Sequence, residues 1–401
     1  EKLLIEHVDT IDLKYRSNGY ALHQIDQANI GIIHLRPAAG FARMHEHHLA
    51  ENLLEQPAGF TYLQNRHKVG IKRSSLPYLG FQYAFGSALN QAVNVDYHHF
   101  FSDSAHLHFR YHRRVSNGII RNSDFTLNDI HFIFHQQRDR LRYVVDAYYG
   151  GYDYTENGGI ESDSLIGIFG IDFIPINKPN ANNEVEKADL NWRNYYALYQ
   201  DSALSTGPVY HFNYTINKRK YEETPIVGAG FENIFIDSNQ TRDWYQTAEL
   251  RNGFGYYFST SFLQIDGTIN HRYWRYDNLS FRRDTNEVYL HSNLWMQWKG
   301  MQLRNEFYLN TLGALGELYN HSRINMQILR NLRLNGGLRF DNRLPIPHQR
   351  FFFGNNIQWQ LPSLNTQQIL HVHGDLRYGD TNAINASLQW TTINNGLYLI
   401  N

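Results

Sequence analysis

From about residue 76 onward, apolar and polar residues alternate in this chain with a period of two. That confines the chain to a sheet whose strands present two unlike faces. Between Ala105 and Arg114, Leu107, Phe109 and Tyr111 fall on one face and His106, His108, Arg110 and His112 on the other. Leu303, Phe307 and Leu309 oppose Gln302, Arg304, Glu306 and Tyr308, with Asn305 as an exception on the apolar side. Ile324, Met326 and Ile328 oppose Arg323, Asn325 and Gln327; Leu332, Leu334, Leu338 and Phe340 oppose Arg333, Asn335 and Arg339. The same reading separates Val288, Leu290, Leu294, Met296 and Trp298 from Glu287, His291, Asn293 and Gln297. It also separates Leu370, Val372, Leu376 and Tyr378 from His371, His373, Asp375 and Arg377, and Ile384, Ala386, Leu388 and Trp390 from Asn385, Ser387 and Gln389.

A soluble sandwich also alternates, hiding one face and wetting the other. Three features favour a membrane-spanning barrel. The runs predict strands of roughly 9 to 12 residues, longer than the usual 5 to 6 and about what a tilted membrane strand needs. Aromatic residues pair at Tyr148–Tyr149, Tyr256–Tyr257 and Tyr273–Trp274 and cluster at Phe351–Phe353, where an interfacial girdle is expected. The polar face carries arginine and acid together, as a water-filled interior does. Composition agrees: 15% of residues are aromatic, yet mean hydropathy is −0.54. A barrel strand turns half its residues to water, so its hydropathy averages out. A spanning helix needs about 20 consecutive apolar residues. The best stretch, Leu165–Ile176, is short and is broken by Asp172 and Pro175.

The expected fold is therefore all-β: a transmembrane antiparallel β-barrel of about 16 strands, within a range of about 14 to 18 and even in number. Connections fall into two lengths. Ser102–Ser104, Lys299–Gly300 and Asn331 are expected as tight periplasmic turns, and Glu156–Ser164, Asn177–Glu186 and Glu222–Arg242 as long extracellular loops. The expected division is an N-terminal segment, residues 1–75, and a barrel, residues 76–401. The first segment alternates poorly and reads as a plug, a periplasmic segment or an irregular first hairpin. Residues 44–56 within it are compatible with a short helix. Cysteine is absent, which suits an oxidising compartment and excludes disulfides and thiolate metal sites. The chain opens without a charged and then apolar leader, which reads as an exported chain whose signal peptide has been removed.

Several local patterns together resemble the β-barrel porin family of Bacteroidota outer membranes. They are Pro77-Tyr78, with a strand closing at Gly86 and Gln91 heading the next, and the run Phe109–Asn122, a strand ending in Ser-x-Gly before a loop. The most specific is Glu156-Asn157-Gly158-Gly159-Ile160, followed by Asp163. Ala188, Arg193, Tyr199, His211 and Tyr221 fall where a family strand pair places them, and Asp243–Asn252 reads as the next strand. These anchors cover residues 77 to 252; beyond them the likeness is alternation alone. The resemblance implies a porin class and an outer-membrane location, without a substrate.

Other chemistries find little support. The 37 Lys plus Arg balance 38 Asp plus Glu, so no nucleic-acid partner is expected. No Gly-x-Ser-x-Gly elbow and no phosphate loop ending in Gly-Lys-Ser/Thr occurs, and the reading is of a chain that is not an enzyme. Among 21 histidines, His45-Glu46-His47-His48 and the pair His371 and His373 beside Asp375 are the best metal candidates. Each lacks a converging third or fourth ligand, so neither a metal nor a cofactor is expected. The function expected is passive diffusion of small hydrophilic solutes. Its pore-lining charges would be Arg110, Arg142, Asp146, Arg272, Arg304, Glu306, Arg323, Arg333, Arg339, Asp375 and Arg377, whose arginine excess implies a mild anion preference. Expected partners are outer-membrane lipid and lipopolysaccharide, the solutes, and further copies of the chain or other outer-membrane proteins. The alternative is a non-conducting barrel that serves as a structural or accessory subunit of a larger outer-membrane complex.

Overall fold

A computed structural model describes residues 77–395, except 87–88, 103, 119, 171–172, 225–232, 346 and 380–383. Ahead of them it describes only a two-residue parallel pairing of Glu6–His7 with Lys72–Arg73. The roles read for residues 1–75 otherwise lie outside the described residues, as do Gly396–Asn401.

Fifteen long strands follow one another in antiparallel order: β1 (Tyr78–Phe85), β2 (Gln91–Ser102), β3 (Ala105–Ser116), β4 (Phe125–Arg138), β5 (Leu141–Glu156), β6 (Ala181–Tyr196), β7 (Leu204–Glu223), β8 (Thr241–Thr260), β9 (Leu263–Asn278), β10 (Arg282–Trp298), β11 (Met301–Leu312), β12 (Leu318–Leu329), β13 (Leu332–Arg343), β14 (Gln367–Tyr378) and β15 (Ile384–Asn394). Each pairs with its neighbours in sequence. A two-residue strand, Tyr199–Gln200, pairs with β7 at one side and completes a sixteen-stranded sheet. Among the described residues the path ends at β1 and β15. Fourteen antiparallel steps separate these edges, so the two run in the same direction.

The connections segregate by end of the sheet. At one end lie the turns 103–104, 139–140, 261–262, 299–300 and 330–331, with the slightly longer 197–203 and 379–383. At the other lie 117–124, 157–180, 224–240 and 344–366, interspersed with the short links 86–90, 279–281 and 313–317. Lys299 (φ 42) and Gly300 (φ 82) both take the left-handed region, the two-residue turn whose twist matches that of its flanking strands. The loop read over Asn177–Glu186 is shorter than expected, because Ala181 already opens β6 and pairs with both Glu156 and Glu223.

Strand length departs from the sequence reading. β5 to β10 run 16 to 20 residues rather than 9 to 12. A strand of 20 residues, at about 3.4 Å per residue and tilted about 45°, rises about 48 Å, well beyond a hydrocarbon core of about 30 Å. Alternation continues past the apolar part, but what faces outward changes. Near the short-turn end the outward side chains are Phe101, Tyr196, Trp298 and Tyr378, all exposed, with Phe262 in a turn beside them. Toward the other end β5–β10 turn charges outward. Lys218 pairs with Glu184 (3.3 Å) and Glu186 (3.0 Å), Lys220 with Glu222 (2.9 Å), and Arg275 with Asp284 (2.9 Å). An apolar band therefore gives way to a charged ladder part-way along the long strands.

Candidate permeation pathway

Cα partners across a ladder share a face, so register carries face assignment from strand to strand. Beginning at His108, which is 1% exposed, the path runs to His98 on β2 and Ile133 on β4 and onward through every pairing to β15. On this polar face lie all eleven charges named from the sequence: Arg110 (β3), Arg142 and Asp146 (β5), Arg272 (β9), Arg304 and Glu306 (β11), Arg323 (β12), Arg333 and Arg339 (β13), and Asp375 and Arg377 (β14). Leu107, Phe109 and Tyr111 on β3 and Leu303 and Phe307 on β11 fall on the opposite face. That opposite face keeps large apolar side chains uncovered over many strands: Phe81, Phe132, Trp192, Phe254, Ile269, Leu338 and Leu388 among them. A continuous exposed apolar surface of this size needs a nonaqueous partner.

The eleven charges divide by surroundings. Arg304, Glu306, Arg323, Arg333, Asp375 and Arg377 stand exposed on β11–β14 toward the short-turn end, where Glu306 lies 3.2 Å from His291 Nε2 and Arg323 donates to His321 at 2.9 Å. Two arginine pairs are direct cross-strand partners there, Arg304 with Arg323 and Arg333 with Arg377, and the facing like charges repel. Of the other five, Arg110 has its Nε shut from water without a hydrogen-bond partner among the described residues, and four are engaged. Arg339 is buried and bonded to Asp341 at 2.7 Å, and Arg272 is bonded to Glu287 and lies 3.7 Å from Glu317. Arg142 lies over the Tyr195 ring, 4.3 Å from its centroid, and Asp146 accepts from His131 Nε2 at 2.9 Å.

The sequence reading missed acids on the same face, including Asp129, Asp189, Asp266, Glu287 and Asp341. It missed cations there too, among them Lys187, Arg193, Arg219, Arg251 and Arg343, so bases and acids nearly balance over the whole face and the arginine excess is most concentrated in the β11–β14 patch. The sequence reading also missed a line of imidazoles. His98, His106, His108 and His131 are buried on β2, β3 and β4, and His108 Nε2 lies 3.0 Å from Asp96 Oδ1. The alternation His106-x-His108 was visible, but the register that sets His98 opposite it was not.

Near the long-loop end, the polar face is occupied by the connection 344–366. It forms a small hairpin, Phe351–Phe353 with Gln358–Gln360, that folds against the sheet. Phe351 is 2% exposed and joins Tyr245 and Tyr276 in one apolar cluster with Phe125, Leu127, Tyr148, Tyr152, Tyr154 and Val185 of β4–β6. The hairpin tip is held by polar contacts. Asn355 N–H donates to Asp243 at 2.7 Å, Asn355 Oδ1 accepts from the backbones of Ile236 and Asp237, and Asn356 Oδ1 accepts from Thr241 at 2.8 Å. The girdle read from the sequence is corrected accordingly. Phe351–Phe353 belong to this inserted hairpin. Each aromatic doublet is split by strand alternation, with Tyr148, Tyr257 and Trp274 on the polar face and Tyr149, Tyr256 and Tyr273 outside.

The loop signature at residues 156–160 has a geometric basis. Gly158 (φ 66) and Gly159 (φ 87) both lie where a β-carbon is penalised. Asn157 Oδ1 accepts from Gly159 N–H at 2.9 Å, and Asn177 donates to the Gly158 carbonyl at 3.1 Å. Asn122 donates to the carbonyls of Glu156 and Lys178, joining two neighbouring loops. Arg193 on β6 pairs with His211 on β7, and Asn183 pairs with Tyr221.

The copper transporter OprC matches with a TM-score of 0.53 at 10% identity, over 80% of this chain and 55% of that one. The iron transporter FrpB of Neisseria meningitidis matches at 0.48 and 10% identity, over 78% and 54%. The RagAB peptide transporter matches at 0.46 and 10% identity, over 76% and 44%. The chain thus spans about half the length of these solved structures, and the first shows that the fold of the large antiparallel sheet is shared. No curated protein matches the chain. The family described as "Putative porin" matches residues 7–401, and the chain belongs to that family.

Proposed function

We propose that the sheet closes into an outer-membrane barrel whose polar face lines a water-filled path for passive diffusion of small hydrophilic solutes. The observation that carries this reading is the division of faces: charged and polar side chains on one side, uncovered aromatic and aliphatic side chains on the other, through fifteen strands. Only lipid makes the second face favourable while water solvates the first. Because β1 and β15 run parallel, an all-antiparallel closure requires one further strand, giving the even count usual for bacterial barrels. The short turns then lie in the periplasm and the long connections outside. Solutes would pass the exposed β11–β14 charges, beside the part of the interior narrowed by the 344–366 hairpin. Planar-bilayer recording on the purified chain tests this: discrete ohmic steps are expected, and verified insertion without conductance overturns it.

A second reading, a non-conducting structural subunit, is favoured by one observation. The hairpin and the β4–β9 aromatic cluster fill part of the polar face near the long-loop end. A structural subunit would co-purify with stoichiometric partners after gentle extraction; a diffusion porin would come out alone or as a homo-oligomer.

A further inference from the structure

We propose that Asp96, His98 and His108 form a binding site for a divalent transition-metal cation of the zinc class on the polar face, with His106 in reserve as a fourth ligand. The register of β2 and β3 builds it. His98 is the direct Cα partner of His108, and Asp96 lies two residues from His98 on the same face. The two imidazoles stack with centroids 4.1 Å apart and planes 8° from parallel. Their Nε2 atoms converge on one oxygen, Asp96 Oδ1, at 3.0 Å from His108 and 3.5 Å from His98. One donor atom from each of the three lies within 4.8 Å of the others. Bonds of about 2.0–2.1 Å in tetrahedral geometry set ligand atoms about 3.3 Å apart, so small side-chain movements suffice to seat the ion.

Burial supplies the second, independent observation. His98, His106 and His108 are 4%, 2% and 1% exposed. Among the described residues, both nitrogens of His106 are shut from water without a hydrogen-bond partner; at His98 and His108 the atom so placed is Nδ1, on the other side of the ring from the converging Nε2. A desolvated imidazole with neither nitrogen partnered is costly, and an ion at the site would relieve that cost at His106. His106 lies two residues from His108 on the same face, its ring 6.1 Å from that of His98, close enough for a rotamer change to bring a nitrogen in. A His-rich set with a single carboxylate suits zinc, copper or nickel over magnesium or calcium, which take oxygen ligands. Arg110, the Cα partner of Asp96, is a positive neighbour that opposes cation binding and lowers the affinity the three ligands would otherwise reach.

Calorimetric titration of the EDTA-treated, detergent-folded full chain with zinc chloride tests the proposal. One equivalent should bind with micromolar or tighter affinity. His98→Ala and His108→Ala should each weaken it at least tenfold, and Asp96→Asn more modestly. Heat-modifiable gel migration establishes that each variant is folded; where one is not, copper bound to the unaltered chain should show two-imidazole nitrogen splitting in its paramagnetic spectrum. The His371→Ala, His373→Ala double variant and the His45→Ala, His47→Ala, His48→Ala triple variant should bind as the parent does. Absence of stoichiometric binding, or binding lost in the triple variant and retained in His98→Ala, overturns the assignment.

Discussion

Tyr276 donates its hydroxyl hydrogen to the carbonyl oxygen of Phe351 at 2.7 Å, tying β9 to a hairpin that leaves the sheet four strands away, after β13. Tyr276 is fully buried, and Asn278 donates to its hydroxyl oxygen, so the bond is shielded from water. A chord that crosses four strands on the polar face narrows whatever path that face encloses.

Removing the chord should therefore widen the path. Deleting residues 350–361 and bridging the ends with a short Gly-Ser linker should raise single-channel conductance several-fold. Tyr276→Phe leaves a buried carbonyl unsatisfied and should cost about 1 to 3 kcal/mol of local stability, read as faster amide exchange across residues 351–360. Equal conductance in the deletion variant and the parent would remove the hairpin from the path.

The two faces predict opposite chemistry at adjacent positions. Because the chain contains no cysteine, Arg304→Cys should react with a membrane-impermeant thiol reagent in intact vesicles, and Leu303→Cys should not. Phe109→Arg or Phe307→Arg should cost about 2 to 4 kcal/mol if the position lies near the bilayer midplane, measured by urea unfolding in lipid. Lys220→Leu lies in the outward charged ladder, above the apolar band, and should change stability little. Comparable costs at Phe109 and Lys220 would contradict the boundary between band and ladder.

The paired glycines give a local test. At Gly158, φ is 66°, and an added β-carbon would meet the Lys178 side chain at 2.7 Å. Gly158→Ala should thus combine backbone strain with a clash, costing on the order of 1 kcal/mol or more. It should expose the 157–180 connection to limited proteolysis. Protease resistance equal to that of the parent would show that the turn tolerates a side chain.

What alternation revealed and what it concealed have one physical origin. A period of two is a local property, so the faces of Leu107 and Arg110, or of Leu303 and Arg304, could be assigned from the sequence alone. The same rule over-reached at Phe351–Phe353. Three consecutive aromatics have no preferred face, and what decides their place is a hydrogen bond to Tyr276 and rings contributed by β4–β9, all distant in sequence. The metal candidate shows the same limit: His106 and His108 were visibly on one face, whereas His98 joins them only through the hairpin register. Strand lengths were underestimated because the outward face changes from apolar to charged near Glu184, Lys218 and Arg275, and a charged outer residue reads as the end of a run.

The last expectation concerns charge selection. Arg304, Arg323, Arg333 and Arg377 are exposed on three neighbouring strands and the strand beside them, with Glu306 and Asp375 as the nearby acids, so the local balance is positive. Arg339 differs: it is buried against Asp341, and its charge is spent locally. Charge reversal at Arg333 and Arg377 should therefore move the reversal potential toward cation preference. Arg339→Glu would set two buried carboxylates side by side and should instead impair folding. The unaltered channel should favour anions at low salt, and the bias should fade as the Debye length falls from about 30 Å at 0.01 M to about 3 Å at 1 M. Selectivity that is independent of salt, or unchanged by reversal at Arg333 and Arg377, would place the solute path away from the β11–β14 wall.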